Sequence, residues 1–485
     1  MSQPTATSKA QAPIRTPGAA IAIWKTKTSK GFGAPSQVLG DRYCSLPSTS
    51  RIARRLRGEG ITTEPPVLRD DCNSGSTPDL SALQARKRAW IESEPLWKTR
   101  LGDSWRGAEV LGAGSFGVAG LWTRVDTNTL EDGKRIKHVV VKQSKASPAA
   151  VRAMRGEAEI MQLFTSVETK HIVKIYRKFI VEPVQGQVDP TVGGAGNFVA
   201  RIFIEYCESG DMSQFLKTLK RKFSAENPIP EELVWHIFRC LVLGLVAMEH
   251  GNELLEGESW KEKVLHNDIK PANIVLISNN DNQHLKTPVV KFADFGVSRI
   301  LPEKQSIQWI QEQFFTPHYR APELVQAETK YPSYSIRRSS TSSSDDLALP
   351  DAIYDTNIKL GAHTNIWAIG KVMYNLINRS HSFSNNSPIF YFGHPGPPQK
   401  IIRTQGEAII DAPYGATLRR AVMRCLAVNW RDRPSPREML GICEDVLKKI
   451  EKAPEGVRAG EGVGLGKGFD EGHTFYPEPG DPQLL

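Results

Sequence analysis

Residues 264–276 read VLHNDIKPANIVL. The apolar pair Val264-Leu265 leads into His266-Asn267-Asp268, and Ile269-Lys270-Pro271-Ala272-Asn273 runs into the apolar Ile274-Val275-Leu276. Two short apolar segments around a polar loop predict a strand–loop–strand hairpin that presents Asp268, Lys270 and Asn273 together. A carboxylate, an ammonium and an amide carbonyl on one loop suit a site where a hydroxyl attacks a polyanion. Asp268 can accept the hydroxyl proton, Lys270 can sit against phosphate charge, and Asn273 can offer an oxygen to a hard cation. The plainer alternative is a surface loop with charged residues, and the rest of the chain decides between the two.

Upstream, Gly112-Ala113-Gly114-Ser115-Phe116-Gly117 follows a predicted strand. Glycines at this spacing let backbone N–H groups approach phosphate oxygens without a Cβ in the way. The same spacing marks dinucleotide folds, but those enter a helix next, whereas VAGLWTRV reads as a second strand. Lys142 ends the apolar run Val139-Val140-Val141, a position where a lone lysine is usually solvated. Residues 148–167 read as a helix, with Ser147 as cap, Pro148 at its first position, and Met154, Ala158 and Met161 on one face. Glu157 on that helix is placed to hold the Lys142 ammonium. Glu159 lies about 200° away around the helix and cannot serve the same face. Downstream of the opening stretch comes Lys291-Phe292-Ala293-Asp294-Phe295-Gly296, in which Asp294 can bind Mg²⁺ and Gly296 permits a sharp turn. Thr316-Pro317-His318-Tyr319-Arg320-Ala321-Pro322-Glu323 completes the series.

Taken in order, these motifs resemble the eukaryotic protein kinase family over about residues 105–452. The resemblance implies an α+β, bilobal protein-kinase-like fold, with a β-rich N-lobe over 105–207 and a mainly helical C-lobe over 208–452. It also implies ATP and Mg²⁺ as cofactors. Gly112, Gly114 and Gly117, with Ala113, Ser115 and Phe116 between them, would cover the ATP phosphates. Lys142 would contact the α- and β-phosphates and pair with Glu157. Asp268 would be the base or orienter for the substrate hydroxyl, with Lys270 stabilising the transferred group, and Asn273 and Asp294 would hold Mg²⁺. Ile204 resembles the gatekeeper, and Glu205 to Cys207 the hinge whose backbone pairs with adenine. Asp211 joins the cofactor-binding set. Arg433 resembles the arginine that pairs with Glu323. The DIKPAN wording and Thr316 resemble serine/threonine rather than tyrosine kinases.

The chain departs from the family at four positions. Asn267 replaces the arginine of His-Arg-Asp, which commonly reads a phosphate on the activation segment through charge-assisted hydrogen bonds. Activity is therefore expected not to need phosphorylation between Asp294 and Glu323. Asn365 stands where the family usually has an aspartate capping the catalytic loop. A neutral acceptor is worth about 0.5–1.5 kcal/mol against about 1.5–3 for an ionised one, so a looser loop is expected. Ala119 replaces a valine and Val140 an alanine, both at positions that pack on adenine. The exchange roughly keeps the volume and predicts a reshaped but filled pocket.

Around this region, residues 1–85 form a basic Ser/Pro-rich tail expected to be disordered, and 86–104 an aromatic-rich extension of the N-lobe. Residues 331–350 read as a Ser-rich disordered insertion and 453–485 as a Gly-rich mobile tail. The formal charge of +9 is concentrated in residues 1–100, which hold 16 Lys and Arg against 8 Asp and Glu. That argues against direct nucleic-acid binding by the folded domain. The cluster Arg51, Arg54, Arg55 and Arg57 is a candidate patch for an anionic partner or an import factor, set against the plainer reading of a solvated tail. Six scattered cysteines show no paired ligand spacing and read as reduced, which points to a cytoplasmic or nuclear chain. The most apolar run, Leu233 to Met248, is too short to span a bilayer, and a buried helix with no membrane partner is expected.

The reading is a protein serine/threonine kinase acting on protein substrates. The alternatives are a pseudokinase serving as an ATP-binding or scaffold module, and a small-molecule phosphotransferase with the related fold. The complete Gly-rich loop and the TPHYRAPE segment weigh against the last.

Overall fold

The computed structural model describes Leu101 and residues 104–452, except 115–116, 126–135, 145–146, 168, 182–198, 225–226, 258, 279–286, 332–354, 380–388, 395–399 and 410–411, together with 475–476. The expectations for 1–85, for nearly all of 86–104 and for the Ser-rich insertion lie outside these residues. The described chain falls into two compact units, one of residues up to Val151 with Phe179–Arg201, the other of Arg152–Lys178 with everything from Ile202 on.

The first unit is built on β1 (Trp105–Gly114), β2 (Gly117–Arg124) and β3 (His138–Ser144), antiparallel neighbours with the pairs Gly114↔Gly117 and Ala119↔Lys142. Val118, Trp122, Val139 and Val141 share one buried face, and Leu121 and Val140 on the opposite face are nearly as buried. Helix α1 (Pro148–Leu163) follows, four residues shorter than its periodicity predicts. β4 (Ile175–Val181) and β5 (Val199–Ile204) complete a five-stranded sheet in the order β1-β2-β3-β5-β4.

The second unit is mainly helical, as expected. It contains α2 (Met212–Lys222) and α3 (Glu231–His250), followed by short strands β6 (Val264–Leu265), β7 (Ile274–Ile277), β8 (Val289–Phe292) and β9 (Arg299–Ile300). Then come α4 (Ile307–Gln311), α5 (Pro322–Lys330) and α6 (Ala362–Asn378). β10 (Ile389–His394), β11 (Lys400–Gln405), α7 (Ala416–Cys425) and α8 (Pro436–Lys452) end the unit. The apolar helix α3 is its centre, packed against α8, β8 and α6. It is the one described helix long and apolar enough to cross a membrane, but it is mostly buried inside the protein.

The opening stretch is not a hairpin. β6 pairs with β9 and β7 with β8, so the two apolar segments flanking Asp268 belong to different two-stranded sheets. Two-residue strands carry too little alternation to name their partners, and pairing is decided by the chain beyond Val289. Phe475–Tyr476 forms a short strand, β12, paired with Tyr391 and Phe392 of β10.

Candidate active site

In the first unit, the β1–β2 turn carries the glycine series, with Ser115 and Phe116 outside the described residues. Two of its glycines differ in their physical reason. A Cβ on Gly117 would lie 1.9 Å from the Gln143 carbonyl, so close approach of β2 to β3 demands glycine there. A Cβ on Gly112 would meet nothing within 4 Å, so internal packing does not explain that glycine, and its backbone is open to a ligand. Residues directly opposite one another in an antiparallel pair share a sheet face. The pairs Ala119↔Lys142 and Leu121↔Val140 therefore put Ala119, Val140 and Lys142 on one face, as the volume-exchange argument requires.

In the second unit, Glu157 of α1 is 3% exposed, whereas Glu159 faces solvent. The choice between the two carboxylates thus follows the helical face. Phe295 is fully buried, with its ring 4.7 Å from His266 and 5.6 Å from Phe164. That anchor leaves the neighbouring Asp294 exposed. Asp294 itself takes the left-handed conformation (φ 62°), while Gly296 does not. The turn attributed to glycine is made two residues earlier, by an aspartate, at a cost of order 1–3 kcal/mol that its anchored neighbour sustains.

The loop around Asp268 is held by several side-chain hydrogen bonds. Asp268 Oδ1 accepts the Thr316 hydroxyl at 2.5 Å. Asp268 Oδ2 meets Lys270 Nζ at 2.8 Å and accepts from Asn273 Nδ2 at 2.8 Å. Lys270 Nζ also donates to Thr316 Oγ1 at 3.2 Å. The His266 imidazole accepts from the Asp268 N–H at Nδ1 and donates from Nε2 to the Ala293 carbonyl, which joins this loop to the Asp294 segment. Complete burial holds the imidazole below its usual value, against the charges of Asp268 and Asp294, so the ring is neutral and this tautomer fits both partners.

Asn365 holds the loop from below. Its Oδ1 accepts from the His266 N–H and its Nδ2 donates to the Val264 carbonyl, both at 3.1 Å. The second bond is one a carboxylate cannot make, so the loop is fastened at two points and the looser loop expected from the sequence is offset. Below α5, Arg433 Nη1 and Nη2 grip Glu323 at 2.9 and 2.8 Å, as expected. Burial would raise the Glu323 carboxyl, but Arg433 outweighs it and holds the group ionised.

Where the hinge is expected, Glu205 donates its N–H to the Lys174 carbonyl. Its carboxylate is held by Lys291 Nζ at 2.7 and 2.9 Å, a largely buried pair that sequence reasoning missed. The two residues are 86 apart, and no local spacing announces them. Ile204 ends β5 just before this point. Burial first, then Glu205, pushes the Cys207 thiol up to about 12, so it is not a reactive thiolate. Asp211 caps α2, accepting the Gln214 N–H at 2.9 Å, which gives it a structural role whatever else it does.

The donor chemistry fits a hard cation. Asn273 commits its Nδ2 to Asp268, which leaves its amide oxygen as the side chain's acceptor, and Asp294 adds an exposed carboxylate. Among the described residues no group of three or more His, Cys, Asp or Glu side chains gathers as a metal cage. Two oxygens completed by phosphate and water is how Mg²⁺ is usually held.

A family model described as protein kinase domain matches residues 105–442. The chain is 25% identical over 354 residues to the G2-specific protein kinase nimA of Emericella nidulans, covering 70% of this chain and 40% of that protein. It is 27% identical over 263 residues to the G2-specific protein kinase fin1 of Schizosaccharomyces pombe, covering 52% and 30%. It is 24% identical over 348 residues to the serine/threonine-protein kinase Nek1 of Mus musculus, covering 70% and 21%. The chain thus spans two fifths or less of the length of these relatives.

Proposed function

Because the chain belongs to the protein kinase family, with its domain at residues 105–442, we propose that it transfers the γ-phosphate of ATP to serine and threonine hydroxyls of protein substrates. The observation that most supports this is the triangle of Asp268, Lys270 and Thr316. Asp268 already accepts a hydroxyl at 2.5 Å while Lys270 contacts both partners. A substrate hydroxyl presented to the same carboxylate is oriented in the same way, its proton received by Asp268 as the oxygen attacks.

Lys270 offsets the charge of Asp268 and of the group in transfer, and Asn273 keeps the carboxylate from rotating. When bound, magnesium–ATP supplies the phosphoryl group and neutralises part of its charge. Asn273 and Asp294 are the residues that would hold the ion. In this reading Lys142 meets the α- and β-phosphates with Glu157 as its acidic mate. The backbone from Gly112 to Gly117 covers the phosphates, with Ala119 and Val140 over the adenine. Ile204, Glu205 and Cys207 line the adenine edge, with Asp211 beyond them. Cys207, Cys240, Cys425 and Cys443 are buried thiols outside any disulfide, which supports a reducing compartment, cytoplasm or nucleus.

The test is transfer of label from γ-labelled ATP to a generic basic protein, followed by identification of the phosphorylated amino acid. Wild type is expected to label serine and threonine, and Lys142→Met to abolish the label. ATP binding without transfer, or transfer only to a small metabolite, would refute the reading.

A further inference from the structure

The segment between Asp294 and Glu323 is fastened by neutral amides. Gln305 and Leu360 exchange two hydrogen bonds, Nε2 to the Leu360 carbonyl at 2.9 Å and the Leu360 N–H to Oε1 at 2.8 Å. Gln311 donates to the Ala327 and Tyr331 carbonyls. Gln313, 9% exposed, donates Nε2 to the Trp309 carbonyl at 2.6 Å, which turns its Oε1 toward the catalytic loop. Asn267 Nδ2 donates to that oxygen at 3.2 Å and to the Val297 carbonyl at 2.9 Å. Both acceptors demand the amide nitrogen, so the orientation of Asn267 is fixed by its partners. Asn267 also sits in the left-handed conformation (φ 68°), which asparagine tolerates better than most side chains.

Every hydroxyl of the segment is engaged. Ser298 donates to the His266 carbonyl, Ser306 caps α4, Thr316 donates to Asp268, and Tyr319 accepts from Asn375. A phosphate on Ser298 or Thr316 would remove the hydroxyl proton that makes its bond, and an amide at position 267 has no charge to offer it.

We propose that Gln313 is a positioning residue for phosphoryl transfer. Its amide, through Asn267, sets the backbone one residue before Asp268 and ties it to the activation segment, and no phosphate is needed. The proposal rests on the kinase reading for its rate effects but not for its structural ones.

The experiment compares full-length wild type, Gln313→Leu, Asn267→Leu and the double variant, with Gln313→Asn in reserve should the leucine change prevent folding. Each single variant is expected to lower kcat roughly tenfold, the scale of one lost buried hydrogen bond, with KM for ATP within about twofold. The double variant is expected to lose less than the two single losses multiplied together, since both singles remove the shared Asn267–Gln313 contact. Wild type treated with phosphatase is expected to keep its rate. On the same samples, amide hydrogen exchange over residues 294–316 is expected to quicken in all three variants. That readout holds whether or not the protein transfers phosphate. Unchanged exchange in Gln313→Leu, multiplying effects in the double variant, or loss of wild-type activity on dephosphorylation would each overturn the proposal.

Discussion

Thr316 donates its hydroxyl to Asp268 Oδ1 at 2.5 Å, across 48 residues of chain. This bond ties the substrate-facing segment to the carboxylate proposed to receive the substrate proton, and Lys270 spans both. Thr316→Ala should lower kcat by about one to two orders of magnitude with nucleotide affinity kept, because a hydrogen bond to a charged acceptor is lost. Thr316→Ser should restore most of the rate. Steady-state kinetics on the three proteins decides this, and an alanine variant as fast as wild type would contradict it.

Asn365 offers a sharper test, because the family's usual residue should be worse here. Asn365→Asp would set a carboxylate oxygen against the Val264 carbonyl that Nδ2 now serves. Desolvating that charge in a site 4% exposed, with a donor lost, should cost about 1–3 kcal/mol. Urea unfolding measures it, and a stabilised aspartate variant would show that the second bond carries no weight.

His171 Nδ1 donates to Glu253 Oε2 at 2.9 Å, with both residues buried. Burial alone would push the imidazole down, but Cys240 and Glu253 outweigh it and bring it from 6.5 up to about 9. The folded value lies above the unfolded one, so the charged pair stabilises fully below pH 6.5 and less as pH rises through about 9. Burial works against the Glu253 carboxylate too, but hydrogen bonding and charge from His171 hold its folded value below 4.5, so that part of the stability fades as pH falls. Glu253→Gln should cost about 3–5 kcal/mol near neutrality and shrink the alkaline decline between 6.5 and 9, with the part due to Cys240 remaining. Unfolding measured from pH 6 to 10 by denaturant series (the range is roughly one unit either side of the titration) checks both effects.

Lys291→Met should act on nucleotide binding more than on turnover. Lys291 holds the carboxylate of Glu205, whose backbone is proposed to face adenine, and it sits on β8 just ahead of Asp294. Losing it leaves a nearly buried carboxylate unpaired, so KM for ATP should rise roughly tenfold while kcat changes less. A fall in kcat with KM unchanged would place Lys291 elsewhere in the account.

The motifs themselves were legible because each is a run of a few residues with its own chemistry. Glu157 could be separated from Glu159 because helical geometry alone puts them on different faces. Relationships across long stretches of chain were not legible. Nothing near Val264 announces that its strand pairs with Ile300, and nothing near Glu205 announces Lys291. The second bond of Asn365 needed the position of the Val264 carbonyl. The β10–β11 pair, inside a region expected to be helical, likewise depends on partners rather than on local pattern.

The central claim is that Asp268 receives the hydroxyl proton during transfer from ATP. Single-turnover phosphoryl transfer by Asp268→Asn, with ATP affinity measured on the same sample, tests it most directly. The account predicts transfer slowed by about two to four orders of magnitude, the usual scale for a general base, with ATP affinity within about twofold. Transfer at the wild-type rate, or a loss explained entirely by failure to bind ATP, would contradict it.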